Sequence, residues 1–188
     1  VVPLPSSIEG LEHVIPHGAF RKWHYRRRRI EREGSVTYER ATADTLDELL
    51  DALFALHGER WSTREMPGVL ADGNVQAFHR DVAHALLDQG ALRLYALRFD
   101  GRVSAVIYGF AHRGRTCFYI GGFDPADALL SPGSVIIGHA IEEAIREGCT
   151  AFDFLRGSET YKYRWGAVDT PTWCRTLTHA ARPAESMR

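Results

Sequence analysis

The chain has 188 residues, 45% of them hydrophobic and 25% charged, with 23 Lys and Arg against 24 Asp and Glu. That composition belongs to a globular chain able to bury one core, and its near-zero net charge excludes a general attraction to nucleic acid or to an anionic membrane. No apolar run reaches the roughly 18 residues of a membrane span, and no charged-then-apolar leader is visible. The three cysteines, Cys117, Cys149 and Cys174, have neither CxxC nor metal spacing, which points to a reducing, cytoplasmic setting without a metal site.

Residues 1–18 are proline-rich and weakly periodic and read as an arm or linker. The chain opens Val1-Val2-Pro3 without an initiator Met, as a truncated or processed piece of a longer protein would. Phe20 to Glu33 follows as a basic helix stopped by Gly34. Phe20, Trp23 and Ile30 give it one apolar edge. Its Arg26-Arg27-Arg28-Arg29 run reads either as a solvated face or as a patch for phosphate, RNA or an acidic partner. Residues 35–41 alternate as a strand. Thr45 and Glu48 are spaced as a capping box, opening a helix with Leu46, Leu49, Leu50, Leu53, Phe54 and Leu56 on one face. It fades into a long loop, 62–72, where Trp61, Arg64 and Met66 are candidates for a pocket mouth. A second helix is expected over 75–87.

Three strands come next, over 92–99, 103–111 and 116–123. Asp100-Gly101 marks a tight hairpin between the first two, and 112–115 turns into the third, which ends in Gly121-Gly122. Glycines there weaken pairing and expose backbone to a ligand. The most informative stretch is Leu130 to Ile141. Ser131 reads as an N-cap, Pro132 suits the first helical position, and Gly133 allows close approach to the backbone. From Val135 the apolar residues recur at helical spacing, and Gly148 supplies a stop. A further strand, 151–155, completes a βαβ unit whose strands are parallel. Then come Arg156 to Gly166, a closing strand near 173–179, and a tail over 182–188 that reads as disordered.

The expected architecture is therefore an α/β fold with a mixed, largely antiparallel sheet, a βαβ unit and helices on both faces. An N-terminal arm and basic helix (1–34) precede the main domain (35–181). The switch from antiparallel to parallel pairing is where such sheets take ligands. Gly121-Gly122, the start of the 133–147 helix and the start of 156–166 converge there. Unpaired amides and the helix dipole at that start favour a phosphate group.

The segments Phe118 to Asp124, Ser131-Pro132-Gly133 with its helix, and Phe152-Asp153-Phe154-Leu155-Arg156-Gly157 followed by Tyr161-Lys162-Tyr163-Arg164-Trp165-Gly166 resemble the GNAT acyltransferase superfamily. Within it they are similar to the CelD-type (cellulose-biosynthesis-associated) acetyltransferases, which are related to Fem-type transferases. The last block is the most specific. The resemblance covers roughly residues 21–167 and implies the GNAT fold and acetyl-CoA or another acyl-CoA as co-substrate. The pyrophosphate would rest on the amides of Gly133, Ser134 and Val135 after Ser131. The pantetheine would lie between the strands ending at Gly121 and Leu155. The phosphate loop departs from the usual GNAT pattern in having one glycine and no charge, so Arg156 or Lys162 would supply the missing cation.

The reaction this resemblance implies is attack of an amine or hydroxyl on a thioester carbonyl, which needs a neutral nucleophile, an oxyanion donor and a proton for the leaving thiolate. Tyr161 is the candidate acid, and the amide of Phe123 or Gly122 the oxyanion donor. Glu159 is the candidate base, with Asp153 second. Lys162 matches the position that contacts phosphate or the transition state in Fem-type enzymes. Each has a plainer structural reading beside it, as packing or surface charge. The acceptor is expected to be a small molecule or glycan. A homodimer or a second GNAT half-domain is a possible partner. Two alternatives stand: a Fem-like transferase using aminoacyl-tRNA, against which the near-zero charge argues, and a catalytically silent half-domain.

Overall fold

A computed structural model describes residues 1–62 and 68–177, without the side chains of 60–62. The side chain of Trp61 and all of Arg64 and Met66, named above as pocket candidates, lie outside what it describes. The elements are β1 (Val2–Pro3), α1 (Leu11–Val14), α2 (His17–Glu33), β2 (Val36–Arg40), α3 (Leu46–Ser62) and α4 (Gly73–Asp88). There follow β3 (Leu92–Phe99), β4 (Arg102–His112), β5 (Arg115–Phe123), α5 (Pro132–Arg146), β6 (Ala151–Asp153) and α6 (Thr160–Tyr163). A six-stranded sheet runs in the order β1-β6-β5-β4-β3-β2, antiparallel except between β5 and β6. The mixed sheet with its βαβ unit is the architecture the chain's patterns predict.

Two apolar layers sandwich the sheet. On one face α1, α2 and α5 pack over Tyr95, Leu97, Ile107, Phe118 and Phe152, with Trp23 and Ile30 as the buried edge of α2. On the other, α3 and α4 cover Leu94, Ala96, Val106 and Tyr108 with Leu46, Leu49, Leu50 and Leu53. Both hairpins turn tightly. Asp100 and Gly101 have φ of 50° and 80°, and Arg113 and Gly114 49° and 70°, the left-handed pair that matches the twist of the flanking strands.

Several local expectations are corrected. Residues 1–18 are no arm: β1 pairs with β6, and Val2 and Leu11 are fully buried, so no boundary at 34 divides the core. No capping box forms at α3, because the Thr45 hydroxyl accepts from the Thr42 amide and Glu48 pairs with Arg98. Residues 173–177 form no strand; Trp173 and Leu177 are exposed, and 178–188 lie outside the described residues.

Candidate functional site

β5 and β6 pair only over Arg115–Cys117 and Ala151–Asp153. β5 runs on to Phe123, while the other strand is ended at Asp153, whose Oδ1 accepts from the Leu155 amide at 2.8 Å; Leu155 then takes φ 55°. That turn parts the two strands. A bulge adds to the divergence, since Tyr108 pairs with Ile120 and Gly109 with Phe118, leaving Tyr119 as the extra residue. Asp124 N–H donates to Ser104 O, so alternation along β5 sends the Gly122 peptide group to β4 and those of Gly121 and Phe123 to the gap side.

Between the parted strands, α2 and α5 lies a cavity of about 550 Å³. Its walls are Ile107, Phe118, Gly121 and Phe123 from the sheet, Gly133, Ser134 and Ile137 from α5, and Tyr161 and Trp165 beyond β6. Lys22 and Arg26 of α2 and Arg164 also line it, whereas among the described residues no Asp, Glu or His does. Arg26 Nη1 donates to Ser134 Oγ at 3.0 Å, which places a guanidinium over the first turn of α5. Partial burial, and then the charge of Arg164, pull the Arg26 pKa down, so two cations share this wall. Three cations facing one cavity beside a helix N-terminus suit a polyanion.

The start of α5 differs from the N-cap reading. Ser131 sits in the left-handed region (φ 59°) and its hydroxyl makes no capping bond. Its carbonyl instead accepts from the amides of both Ser134 (3.0 Å) and Val135 (3.3 Å). Val135 is buried and does not line the cavity. Of the three amides expected to hold phosphate, Val135 is thus withdrawn into the helix, and Ser134 is shared with its own turn. Gly133 keeps its place at the wall, where an added Cβ would come within 3.2 Å of the Phe123 ring.

The sequence-predicted catalytic residues separate into two groups. Tyr161 faces the cavity, edge-on to Phe154 at 5.8 Å between ring centroids. Lys162, next in sequence, turns the other way and is 5% exposed. Its Nζ donates to the carbonyls of Arg156 (2.6 Å) and Gly157 (3.3 Å) and pairs with Glu159 at 2.8 Å. It ties down the turn after β6 and is not placed to touch phosphate. Glu159 lies outside the cavity; the Lys162 hydrogen bond holds its carboxyl below the usual range, which weakens it as a base. Asp153 is engaged by Arg115 and the Leu155 amide. Arg156 is exposed and off the wall. Gly122 lines the cavity but packs against α3, where a Cβ would strike Leu56 and the His57 amide, and its own amide belongs to the β4 ladder.

Sequence reasoning missed Lys22, Arg26 and Arg164 as wall residues. The signal lay in the apolar positions of α2: Trp23 and Ile30 face the core, so Arg26, midway between them, is carried toward α5. Arg27 of the same run has a different task, binding the buried Glu142 of α5 at 2.9 Å.

Known proteins bear on this arrangement. A family model described as Acetyltransferase (GNAT) domain matches residues 18–163. No curated protein matches the chain. Among solved structures, a GCN5-related N-acetyltransferase from Ralstonia eutropha JMP134 superposes with a TM-score of 0.57 at 17% identity, over 76% of this chain and 99% of that one. A predicted acetyltransferase with acetyl-CoA from Clostridium acetobutylicum gives 0.57 at 9% identity, over 76% and 96%. An aminoglycoside 6′-N-acetyltransferase from Acinetobacter haemolyticus gives 0.53 at 16%, over 77% and 99%. At these identities the structures share the fold, and the family match spans most of the chain. With the parted strands and the α5 wall between them, this chain belongs to the GNAT acetyltransferase family.

Proposed function

We propose that the cleft binds acetyl-CoA and that the protein transfers its acetyl group to an amine or hydroxyl of a small-molecule acceptor. The observation that carries this reading is the cation-lined cavity opening where β5 and β6 part. Acetyl-CoA supplies an activated acyl group on a pantetheine arm. The chain's residues do the rest. Lys22, Arg26 and Arg164 take the phosphates at the head of α5, and the edge of β5 from Phe118 to Phe123 receives the arm as an added strand. The Phe123 amide is the oxyanion donor and Tyr161 the proton donor to the departing sulfur. With Glu159 held low and outside the cavity, a neutral amine positioned by the site attacks without a dedicated side-chain base, and positioning supplies much of the rate.

The finer assignment to the CelD-type branch rests on the Asp-Phe-Leu-Arg-Gly and Tyr-Lys-Tyr-Arg-Trp-Gly blocks, which build the β6 turn and the α6 wall. The small-molecule acceptor draws on the aminoglycoside acetyltransferases among the neighbours. A cytoplasmic setting fits the unbridged cysteines. Titration calorimetry tests the donor: acetyl-CoA is expected to bind with a Kd below about 1 mM, the upper end of usual substrate affinities. Arg26→Glu should weaken it roughly tenfold or more by reversing a charge at the phosphates. Absence of binding by a folded protein, or an unaltered Kd in the variant, overturns the reading.

A further inference from the structure

Helix α2 carries seven Lys and Arg and two Glu, a net +5 in a chain whose total is −1, leaving −6 for everything else. The charge is also directional. Arg26 and Arg27 face inward to Ser134 and Glu142, whereas Arg21, Tyr25, Arg28 and Arg32, spaced four, three and four apart, share the outer face and are all exposed. Among the described residues no carboxylate pairs with Arg21, Lys22, Arg28 or Arg32. A shallow groove along this face, formed by Arg21, Tyr25 and Arg28, shares Gly18 and Lys22 with the cavity itself. One continuous cationic track therefore leaves the cleft mouth and runs about 16 Å along the helix, at 1.5 Å per residue from Arg21 to Arg32.

We infer that this outer face of α2 docks an acidic carrier protein, which delivers the acyl group as a phosphopantetheine thioester into the same cleft. The inference rests on the pantetheine reading proposed above and extends it to the source of the thioester. A phosphopantetheine arm is common to coenzyme A and to carrier proteins; beyond it coenzyme A has a single 3′-phospho-AMP group, whereas a carrier protein presents a whole folded surface that can follow the track along α2. Arg21, Arg28 and Arg32 lie beyond the cavity wall, so the phosphates of a cleft-bound coenzyme leave them unexplained. The extent of the patch separates a carrier from RNA. One helix face suffices for a compact partner with one acidic surface, while the −6 on the rest of the chain opposes an extended polyphosphate.

The test titrates the full chain with acetyl-CoA, with an acetylated holo acyl carrier protein, and with unfractionated tRNA, each at low and at high salt. The wild-type protein is expected to bind both thioesters. Reversing the charge with Arg21→Glu and Arg28→Glu together should weaken the carrier protein roughly tenfold or more and reduce its salt dependence, while acetyl-CoA stays within about twofold. Acetyl-CoA binding without any carrier binding, or equal losses for both ligands, overturns the inference and leaves the cleft reading intact. Salt-sensitive tRNA binding that the double variant removes overturns it in favour of RNA. Failure of acetyl-CoA itself to bind removes the reading beneath it.

Discussion

His139 shows how burial converts a titratable residue into a structural one. It lies mid-helix on α5, stacked on Tyr38 at 4.3 Å and edge-on to Tyr95 at 5.6 Å. Burial pushes its pKa down to about 4, against 6.5 for a free imidazole. Folding therefore excludes a proton that the unfolded chain binds, so the associated stability is present above pH 6.5 and is lost as pH falls towards 4. His139→Leu should flatten the stability profile across that window, by on the order of 2 kcal/mol given the ring's partial exposure. Urea midpoints of both proteins at pH 7 and pH 4.5 measure it, and parallel profiles would refute it. Tyr161 and Lys162 make the complementary point: adjacent residues on one short helix turn opposite ways, one to the cavity and one to the carbonyls behind it.

Among the elements, the pairing of α2 with α5 sets the shape of the site. The two meet at Gly138, where a Cβ would overlap the Trp23 indole, so the glycine lets the helices approach closely. Trp23 packs edge-on to Trp165 at 5.5 Å, joining α2 to the segment after α6. Arg27 and Glu142 clamp the next turn. Gly138→Ala is expected to destabilise the fold by about 1–3 kcal/mol through overpacking. Thermal unfolding followed by tryptophan fluorescence checks it, and an unchanged midpoint would show that the contact is slack. The approach to α5 is pinned as well: Ser104 Oγ donates to Asp127 at 2.6 Å, and Arg102 pairs with Asp124 and Asp127, fastening residues 124–130 to the start of β4.

On the scale of the whole molecule, the N-terminal residues close the sheet. β1 covers the outer edge of β6, Val2 is fully buried, and the Val1 amino group donates to Val168 O at 2.8 Å. The residues just past α6 are thereby held to the start of the chain. An uncompensated charge at the edge of this core is costly, so Val2→Asp should lower stability by about 2–4 kcal/mol, read as a reduced urea midpoint. Stability equal to wild type would mean that residues 1–18 are peripheral. Net charge is likewise partitioned over the whole body, with a positive excess on α2 at the mouth of the cleft and a negative balance over the rest.

The sequence alone determined what depends on neighbours in the chain. Apolar periodicity placed α2, α3, α4 and α5, left-handed Asp-Gly and Arg-Gly pairs placed the hairpins, and the βαβ order placed the parallel pairing and hence the cleft. Tertiary structure alone decided which polar groups face that cleft. Helical spacing cannot tell which of four consecutive arginines meets α5, nor that Lys162 finds two carbonyls before it finds a ligand. Short apolar pieces such as Val2, Leu11 and Ile15 carry no periodicity of their own; Val2 is buried at an edge of β6 that exists only once the sheet has formed, and Leu11 and Ile15 join the same core where α1 meets α2. Local patterns record each element's apolar face; the direction of a charge depends on partners distant in sequence.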